Sequence, residues 1–418
     1  YGEPITVKES FDVAGCPSSW GLEAYRSNVA HSTAQGVRRL CEAGAIVIGK
    51  TNVAAGLGDW QSANPIYGRT QNPWAPQRTP GGSSGGSAAA LAAGYVTLEL
   101  GSDIAGSIRG PAHLCGVWGH KTSYGAVPLS GHALPGDEIV PDFAVAGPMA
   151  TCGPDLRLAF EVLAKPCASE GVGSRVHFPR PKSVGLKGLR IAVLADHARA
   201  PVSAQVRQAL KSAAEAAASA EAKVTWLEEL PFDAEAMHAT FLLLLRAETL
   251  ARGDPRDRQA LAKESASLRA NDRSYRAQIR RAATLSHYDA VQAQQFRERV
   301  RGAWRQWFTS YDMLLCPPAM TAAFEHNLAV AREDRLIEVD GRPRDYNDQL
   351  FWASLASFAH LPATVFPVTH DTDGLPIGAQ LIGPQWHDHM TISVAEEIAA
   401  HLGDPAQRMT SIEPWMPR

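Results

Sequence analysis

The stretch PGGSSGGSAAALAAG, Pro80 to Gly94, is answered shortly downstream by GSDIAGSIRGPA, Gly101 to Ala112, and the fold turns on how these two runs are read. Gly81, Gly82 and Gly85 frame Ser83 at positions where a side chain would block close backbone approach. A flexible glycine and serine linker would not lead into a helix-forming alanine segment, yet this run passes into Ser87 to Ala93. Ser83 therefore falls at the start of a helix. Tyr95 to Leu100 reads as a strand and Gly101 to Gly106 as a tight loop delivering Ser107. Both serines lie at element ends, where a rigid scaffold positions reactive groups.

Working outward, Lys8 sits upstream in the apolar setting ITVKES. The alternation from Ile5 to Lys8 predicts a strand, Gly36 to Glu42 a helix and Ala45 to Ile48 a second strand, an α/β rhythm. Downstream, strands are expected at Leu189 to Leu194, Lys223 to Leu227 and Asp312 to Pro318, with an alanine-rich helix from Ala204 to Ala222. A charge-laced helical region from about Leu261 to Phe308 carries arginines best read as a solvated face. Strands at Ala363 to Val368 and Ile377 to Ile382 and a helix from His389 to Ala400 close the layer.

A chain of 418 residues, 45% hydrophobic and 20% charged, can bury a large core, and length alone suggests two or three domains. The formal net charge of -3 gives no electrostatic case for nucleic acid or an anionic membrane as partner. The apolar runs Ala88 to Ala93 and Phe241 to Leu245 are core-helix lengths, well short of the roughly 20 residues a membrane span needs. Cys16, Cys41, Cys115, Cys152, Cys167 and Cys316 show no CxxC or zinc spacing and are expected as buried free thiols in a reducing compartment. No metal site is expected, because the HDH run at His387 to His389 lacks helical i, i+4 spacing; GGSSGGS likewise lacks the lysine of a phosphate-binding P-loop.

Lys8, Ser83 and Ser107, in this order and with this glycine framing, resemble the amidase signature family of hydrolases. RRLCEAGAIVIGKTN (Arg38 to Asn52), NPWAPQRTPGGSSGGS (Asn72 to Ser87) and LPATVFPVTHDTDGLPIGAQLIGP (Leu361 to Pro384) are similar to blocks of that family, while about Arg190 to Cys316 varies, as substrate-shaping segments do. The resemblance implies one α/β domain over residues 1–418, a large mixed twisted β-sheet sandwiched between α-helices. It implies no cofactor, a small-molecule amide, ester or carbamate as substrate, a cytoplasmic location and an assembly that could be a homodimer. The chain opens at Tyr1 inside an expected strand, where family members carry further helices upstream, so those helices are expected to be absent.

The resemblance also implies roles. Ser107 is the nucleophile, the Ser83 hydroxyl accepts its proton and passes one on, and Lys8 is the terminal base; the Gly82–Ser83 peptide bond is expected to be cis. Lys8 can serve only if neutral, which requires its ordinary pKa of roughly 10.4 to fall through burial. Ile5, Val7 and Phe11 supply apolar surroundings, and Glu9 next door opposes them. Backbone N–H groups of Ile104, Ala105, Gly106 and Ser107 form the expected oxyanion cradle. Family members usually have glycine where this chain has Ala105, so either its backbone is expected to avoid positive φ or the loop is expected to be slightly remodelled. Asp103 and Arg109 are expected to brace the loop, against the plainer reading of an exposed ion pair. Ser84 either supports Ser83 or caps the helix. Gly56, Leu57 and Gly58 are expected to line a roomy acyl pocket; Trp20, Trp118, Phe351 and Trp352 read as core before they read as pocket walls.

Two rival functions use the same residues. Gly81, Ser83 and Gly85 satisfy G-x-S-x-G, the nucleophile elbow of α/β-hydrolases, with Asp371 and His387 or His389 in the right order. That elbow must follow a strand, and Gln77 to Gly82 is broken by proline and glycine. The second rival is the catalytic subunit of a glutamine-dependent amidotransferase complex, which shares the signature. Such subunits usually continue GLKPTYGRVS where this chain has GHKTSYGAVP, Gly119 to Pro128, which favours a free-standing amidase with amide, aryl amide or carbamate (urethane) substrates.

Overall fold

The computed structural model describes residues 2–137, 139–164, 178–179, 185–269 and 271–402. Among them, ten strands form one mixed sheet: β1 Glu3–Lys8, β2 Ala45–Thr51, β3 Leu98–Asp103, β4 Trp118–Lys121, β5 Val145–Ala150, β6 Arg190–Val193, β7 Lys223–Trp226, β8 Met313–Cys316, β9 Ala363–His370 and β10 Pro376–Ile382. Their spatial order is β2-β1-β3-β5-β4-β9-β10-β8-β6-β7. Every residue of β5, β8 and β10 is buried, as expected of strands covered on both faces. The family fold inferred from the sequence, a large mixed sheet between helices, is what the chain adopts.

Helices cover both faces. On one, α1 (Gln35–Glu42), α4 (Gly153–Leu163), α5 (Ala204–Ser219) and α11 (Asp388–His401) pack in the row α1, α4, α11, α5. On the other, α2 (Gly85–Ala92) packs against α3 (Arg109–Cys115). Residues Gly85 to Leu91 of α2 are all buried, which is why the helix is built from glycine, serine and alanine and has no polar face. The middle of the chain adds α6 (Ala234–Ala251), α7 (Pro255–Ser265), α8 (Tyr275–Ala283) and α9 (His287–Trp307), and α10 (Leu350–Ser357) packs against α6.

β1 pairs in parallel with β2 on one side and β3 on the other, with Val7 beside Leu100. Lys8 and Asp103 are the last residues of their strands, so parallel pairing brings their side chains out at the same sheet edge. That edge, the carboxyl ends of parallel strands, is where open α/β sheets place their sites.

Several expectations change. The strand expected from Tyr95 starts at Leu98 and continues through Gly101, Ser102 and Asp103, because it pairs with β5 as far as Asp103 opposite Val145. The loop bearing Ser107 is thus residues 104–108, shorter than Gly101 to Gly106 suggested. The long helical region is broken, with α8 starting behind a Ser274 cap on the Ala277 N–H and α9 behind a Ser286 cap on the Asp289 N–H. Its arginines are not all solvated: Arg280 and Arg297 are buried, Arg297 against Asp142 and the Phe143 ring. Of the cysteines, Cys115 and Cys316 are buried, Cys16 and Cys152 are half-buried and Cys41 is exposed; Cys167 lies outside the described residues. All five described cysteines are free thiols. No helix among the described residues is long and apolar enough to cross a membrane.

Candidate active site

Lys8 is completely buried, yet its ammonium end is not idle: Nζ lies 2.7 Å from Ser83 Oγ, 2.9 Å from Ser102 Oγ and 3.3 Å from the Ser102 carbonyl. Burial drives its pKa from 10.5 down to about 7, with Asp103 and Glu99 opposing. Glu9, the expected opponent, is turned away. Its carboxylate accepts the backbone N–H groups of Ser19 and Trp20 and the Ser19 hydroxyl, which fixes the neighbouring loop. Glu99, to which the sequence assigns no role, lies on β3 buried against the Thr51 hydroxyl, and burial pushes it up to about 7.

Ser83 and Ser107 are both buried, at 1% and 5% exposure, on adjoining loops. The Gly82–Ser83 peptide bond is cis. The loops are held together by the Ser84 N–H donating to the Ser107 carbonyl at 3.1 Å, although no hydrogen bond links the two serine hydroxyls themselves. The glycines around Ser83 answer to contacts. A Cβ on Gly82 would strike the Asp59 carbonyl, and one on Gly86 the backbone of Asn52. Gly81 combines φ +87° with a Cβ position 2.8 Å from Pro111 Cα, so only glycine fits. Ser62 ties this segment down, accepting from the Gly85 N–H at 2.9 Å and donating to the Gly81 carbonyl at 3.0 Å.

The loop bearing Ser107 is organised by one carboxylate. Asp103 accepts from the backbone N–H groups of Gly106 (2.8 Å), Ile108 (3.0 Å) and Arg109 (3.3 Å) and from the Arg109 guanidinium at 3.0 and 3.1 Å. Arg109 reaches on to the Ala353 carbonyl, Gln380 and Ser357. Both partners are at most 1% exposed, so the pair is a buried brace and not a surface ion pair. Asp103 is held well below the usual carboxylate range: burial works against this, but the Arg109 charge and the hydrogen bonds outweigh it.

The oxyanion cradle expected from the sequence is altered by this brace. The Gly106 N–H is donated to Asp103, whereas the N–H groups of Ile104, Ala105 and Ser107 make no backbone hydrogen bond among the described residues. Ala105 has no positive φ, while Gly106 does, at +96°, with its Cα hydrogens facing the Trp60 ring. Trp60, a buried core residue to which the sequence assigns no role, donates its indole N–H to the Ala105 carbonyl at 3.1 Å and so helps fix the loop. Ser84 occupies the N-cap position of α2, but its hydroxyl makes no capping hydrogen bond and none to Ser83; it donates to the Ser102 carbonyl at 3.3 Å. Gly56 and Leu57, both with positive φ, lie in the 3-10 turn Ala55–Leu57, which Gly58 closes; just beyond it the Asp59 carbonyl abuts Gly82 and the Trp60 indole meets the Ala105 carbonyl. Trp118, Phe351 and Trp352 are core residues and Trp20 is half-buried over His132.

The elbow alternative finds no support in these contacts. Ser83 is hydrogen-bonded to a lysine, no strand leads directly into it, Asp371 closes a turn on the Asp373 and Leu375 N–H groups, and His387 lies against the Gln385 carbonyl. A family model described as Amidase matches residues 1–392. The chain belongs to the amidase signature family. A glutamyl-tRNA(Gln) amidotransferase subunit from Nitratidesulfovibrio vulgaris (strain DP4) is 31% identical, covering 97% of this amidase and 85% of that protein. Indoleacetamide hydrolase of Bradyrhizobium diazoefficiens is 30% identical over 98% of this amidase and 75% of its own length. Among solved structures, one described as a vestigial protein complex revealing the origins of an s-triazine catabolic enzyme superposes with a TM-score of 0.78 at 29% identity, covering 96% and 84% of the two chains. Another, described as an amidase, gives 0.74 at 28% identity, covering 96% and 85%. The protein is thus an amidase-family hydrolase acting on carbon–nitrogen bonds.

Proposed function

We propose that this amidase cleaves its substrate through an acyl-enzyme on Ser107, with Ser83 and Lys8 as the proton relay. The observation that carries the reading is the 2.7 Å contact between Lys8 Nζ and Ser83 Oγ, made by a lysine whose burial brings it to about 7. Ser107 Oγ attacks the carbonyl carbon, its proton passing to Ser83 Oγ as the Ser83 proton passes to Lys8. The oxyanion is stabilised by the N–H groups of Ile104, Ala105 and Ser107, with Gly106 excluded by its bond to Asp103. As the intermediate collapses, Ser83 protonates the departing nitrogen and recovers a proton from Lys8. Water then attacks the acyl carbon by the reverse relay, releasing the acid and free Ser107. Every proton is accounted for within three residues.

The substrate is a small amide, with esters, aryl amides and carbamates in the same class, admitted past Gly56, Leu57 and Gly58. A cytoplasmic location belongs to this reading, supported by the exposed free thiol of Cys41. A homodimer is compatible with it. A second reading is favoured by specific relatives: two amidotransferase subunits, 31% and 32% identical, cover 97% and 94% of this chain, more weight than the GHKTSYGAVP departure carries against them. In that reading the same relay hydrolyses glutamine and a partner protein receives the ammonia.

Ammonia release from L-glutamine, indoleacetamide and an aryl amide, measured for the wild type and Ser107→Ala, tests both. Turnover of at least one amide and its loss by at least about 10³-fold in the variant are expected. Amide turnover that survives Ser107→Ala refutes the relay. A stoichiometric partner on co-purification, with turnover confined to glutamine, establishes the second reading.

A further inference from the structure

Lys8 can take a proton from Ser83 only if its lone pair points there, and the structure shows what decides this. A neutral amine has two N–H bonds and one lone pair, and Lys8 has three contacts: Ser83 Oγ, Ser102 Oγ and the Ser102 carbonyl. The carbonyl can only accept. If the Ser102 hydroxyl donated to Lys8, it would occupy the lone pair and leave an N–H facing Ser83, the wrong arrangement for a base. The productive arrangement needs the Ser102 hydroxyl to accept from Lys8 and to place its own hydrogen elsewhere.

One acceptor is in reach. His132 Nε2 lies 2.9 Å from Ser102 Oγ and 3.0 Å from Ser10 Oγ. The imidazole is packed between Phe11 and Trp20, with ring centroids at 4.5 and 5.1 Å, and is 6% exposed. Its loop is anchored by the Asp12 N–H on the Gly131 carbonyl at 2.8 Å and the Gln35 N–H on the Ser130 carbonyl at 3.0 Å. Gly131, at φ +82°, has no room for a Cβ against Ala34, so the backbone delivers His132 in one pose. Burial, reinforced by the charge of Lys8, pushes the ring down to about 3, so the imidazole is uncharged across the neutral range and one of its two nitrogens accepts; the tautomer with its hydrogen on Nδ1 makes Nε2 that acceptor.

We infer that His132 is a positioning residue for the base: by accepting the Ser102 hydroxyl proton at Nε2, it turns the Ser102 oxygen toward Lys8 and the Lys8 lone pair toward Ser83. The inference rests on the Lys8, Ser83, Ser107 relay. It assigns a role outside those three residues, carried by a hydrogen-bond chain from His132 through Ser102 to Lys8 and Ser83.

The test is a double-mutant cycle on the second-order rate at which a fluorophosphonate labels Ser107, followed by mass spectrometry. His132→Leu is expected to slow labelling by about tenfold, the value of one orienting hydrogen bond. In a Ser102→Ala background the same change should alter the rate less than about twofold, because the link it acts through is already gone. His132→Gln, whose amide oxygen can accept the same proton, should recover most of the loss. Equal losses in both backgrounds, no loss in the wild-type background, or a Gln variant as slow as Leu each overturn the inference. If the Leu variant does not fold, His132→Asn, too short to reach Ser102, takes its place. Labelling of wild-type Ser107 that Lys8→Ala abolishes keeps the underlying relay standing whichever way the cycle falls; absence of that labelling would sink the relay itself.

Discussion

Replacing the base with an apolar isostere should stabilise the protein at neutral pH while abolishing its activity. Burial lowers Lys8 from 10.5 to about 7, and at about 1.4 kcal/mol per pKa unit the folded state gives up ~4 kcal/mol at pH 7 to hold it. Lys8→Met recovers this cost but removes three hydrogen bonds, two with Ser102 and one with Ser83, at ~1 kcal/mol each, since the Ser102 carbonyl and hydroxyl keep their contacts with Ser84 and His132. The variant is therefore expected to be more stable than the wild type by ~1–2 kcal/mol at pH 7. The sign follows from proton counting. Between 7 and 10.5 the unfolded lysine is protonated and the folded one is not, so the wild type gains stability as pH rises, by about 1.4 kcal/mol per unit, and Lys8→Met does not. The gap should close near pH 8 and reverse by pH 10, where the wild type is the more stable. Urea unfolding of both proteins at pH 7, 8, 9 and 10 measures this. A gap that stays constant across the series, or a variant less stable at pH 7, refutes the claim that Lys8 is held neutral by burial.

The neighbouring carboxyl titrates the other way. Glu99 is raised from 4.5 to about 7 by burial, so its cost to the folded state is absent below 4.5, grows to pH 7 and is full above it. Glu99→Gln should accordingly gain ~1–3 kcal/mol above pH 7 and nothing at pH 4.5, as read by chemical denaturation. Asp103→Asn leaves the buried Arg109 without its counter-charge and should cost about 3–5 kcal/mol, with a matching loss of melting temperature. Gly106→Ala places a Cβ 2.7 Å from the Trp60 ring at φ +96°, and is expected to lower kcat by at least ~10²-fold with the overall fold retained by circular dichroism. An unchanged kcat there would show that the loop conformation is not used in catalysis.

Much of the site was legible because its chemistry sits in contiguous sequence. The glycines at Gly81, Gly82 and Gly85 announce a closely packed backbone, and the structure shows Pro111, the Asp59 carbonyl and the Ser62 side chain filling those three spaces. The alternation of Ile5 to Lys8 marks the strand, and parallel pairing with β3 then brings the Lys8 side chain within hydrogen-bond reach of Ser102. What was not legible depends on pairing across the fold. Nothing local distinguishes Gly101 to Asp103 as strand from loop; the choice is made by β5, more than forty residues on. Glu99 and His132 are single polar residues in apolar or loop surroundings, and only the tertiary structure sets one on Thr51 and the other on Ser102. Arg280 and Arg297 read as solvated because helical charge periodicity carries no information about which partner covers them. Ser84 shows the same limit at short range, since its position at the start of α2 invites capping while its hydroxyl turns to Ser102.

The central claim is that Ser107, and not Ser83, forms the covalent bond to substrate, and the most direct measurement is peptide mapping by mass spectrometry after treatment with a serine-reactive phosphonate, beside a Ser107→Ala control. A single adduct on Ser107 that disappears in the control is the predicted result. An adduct on Ser83, or one that persists in the control, contradicts the account.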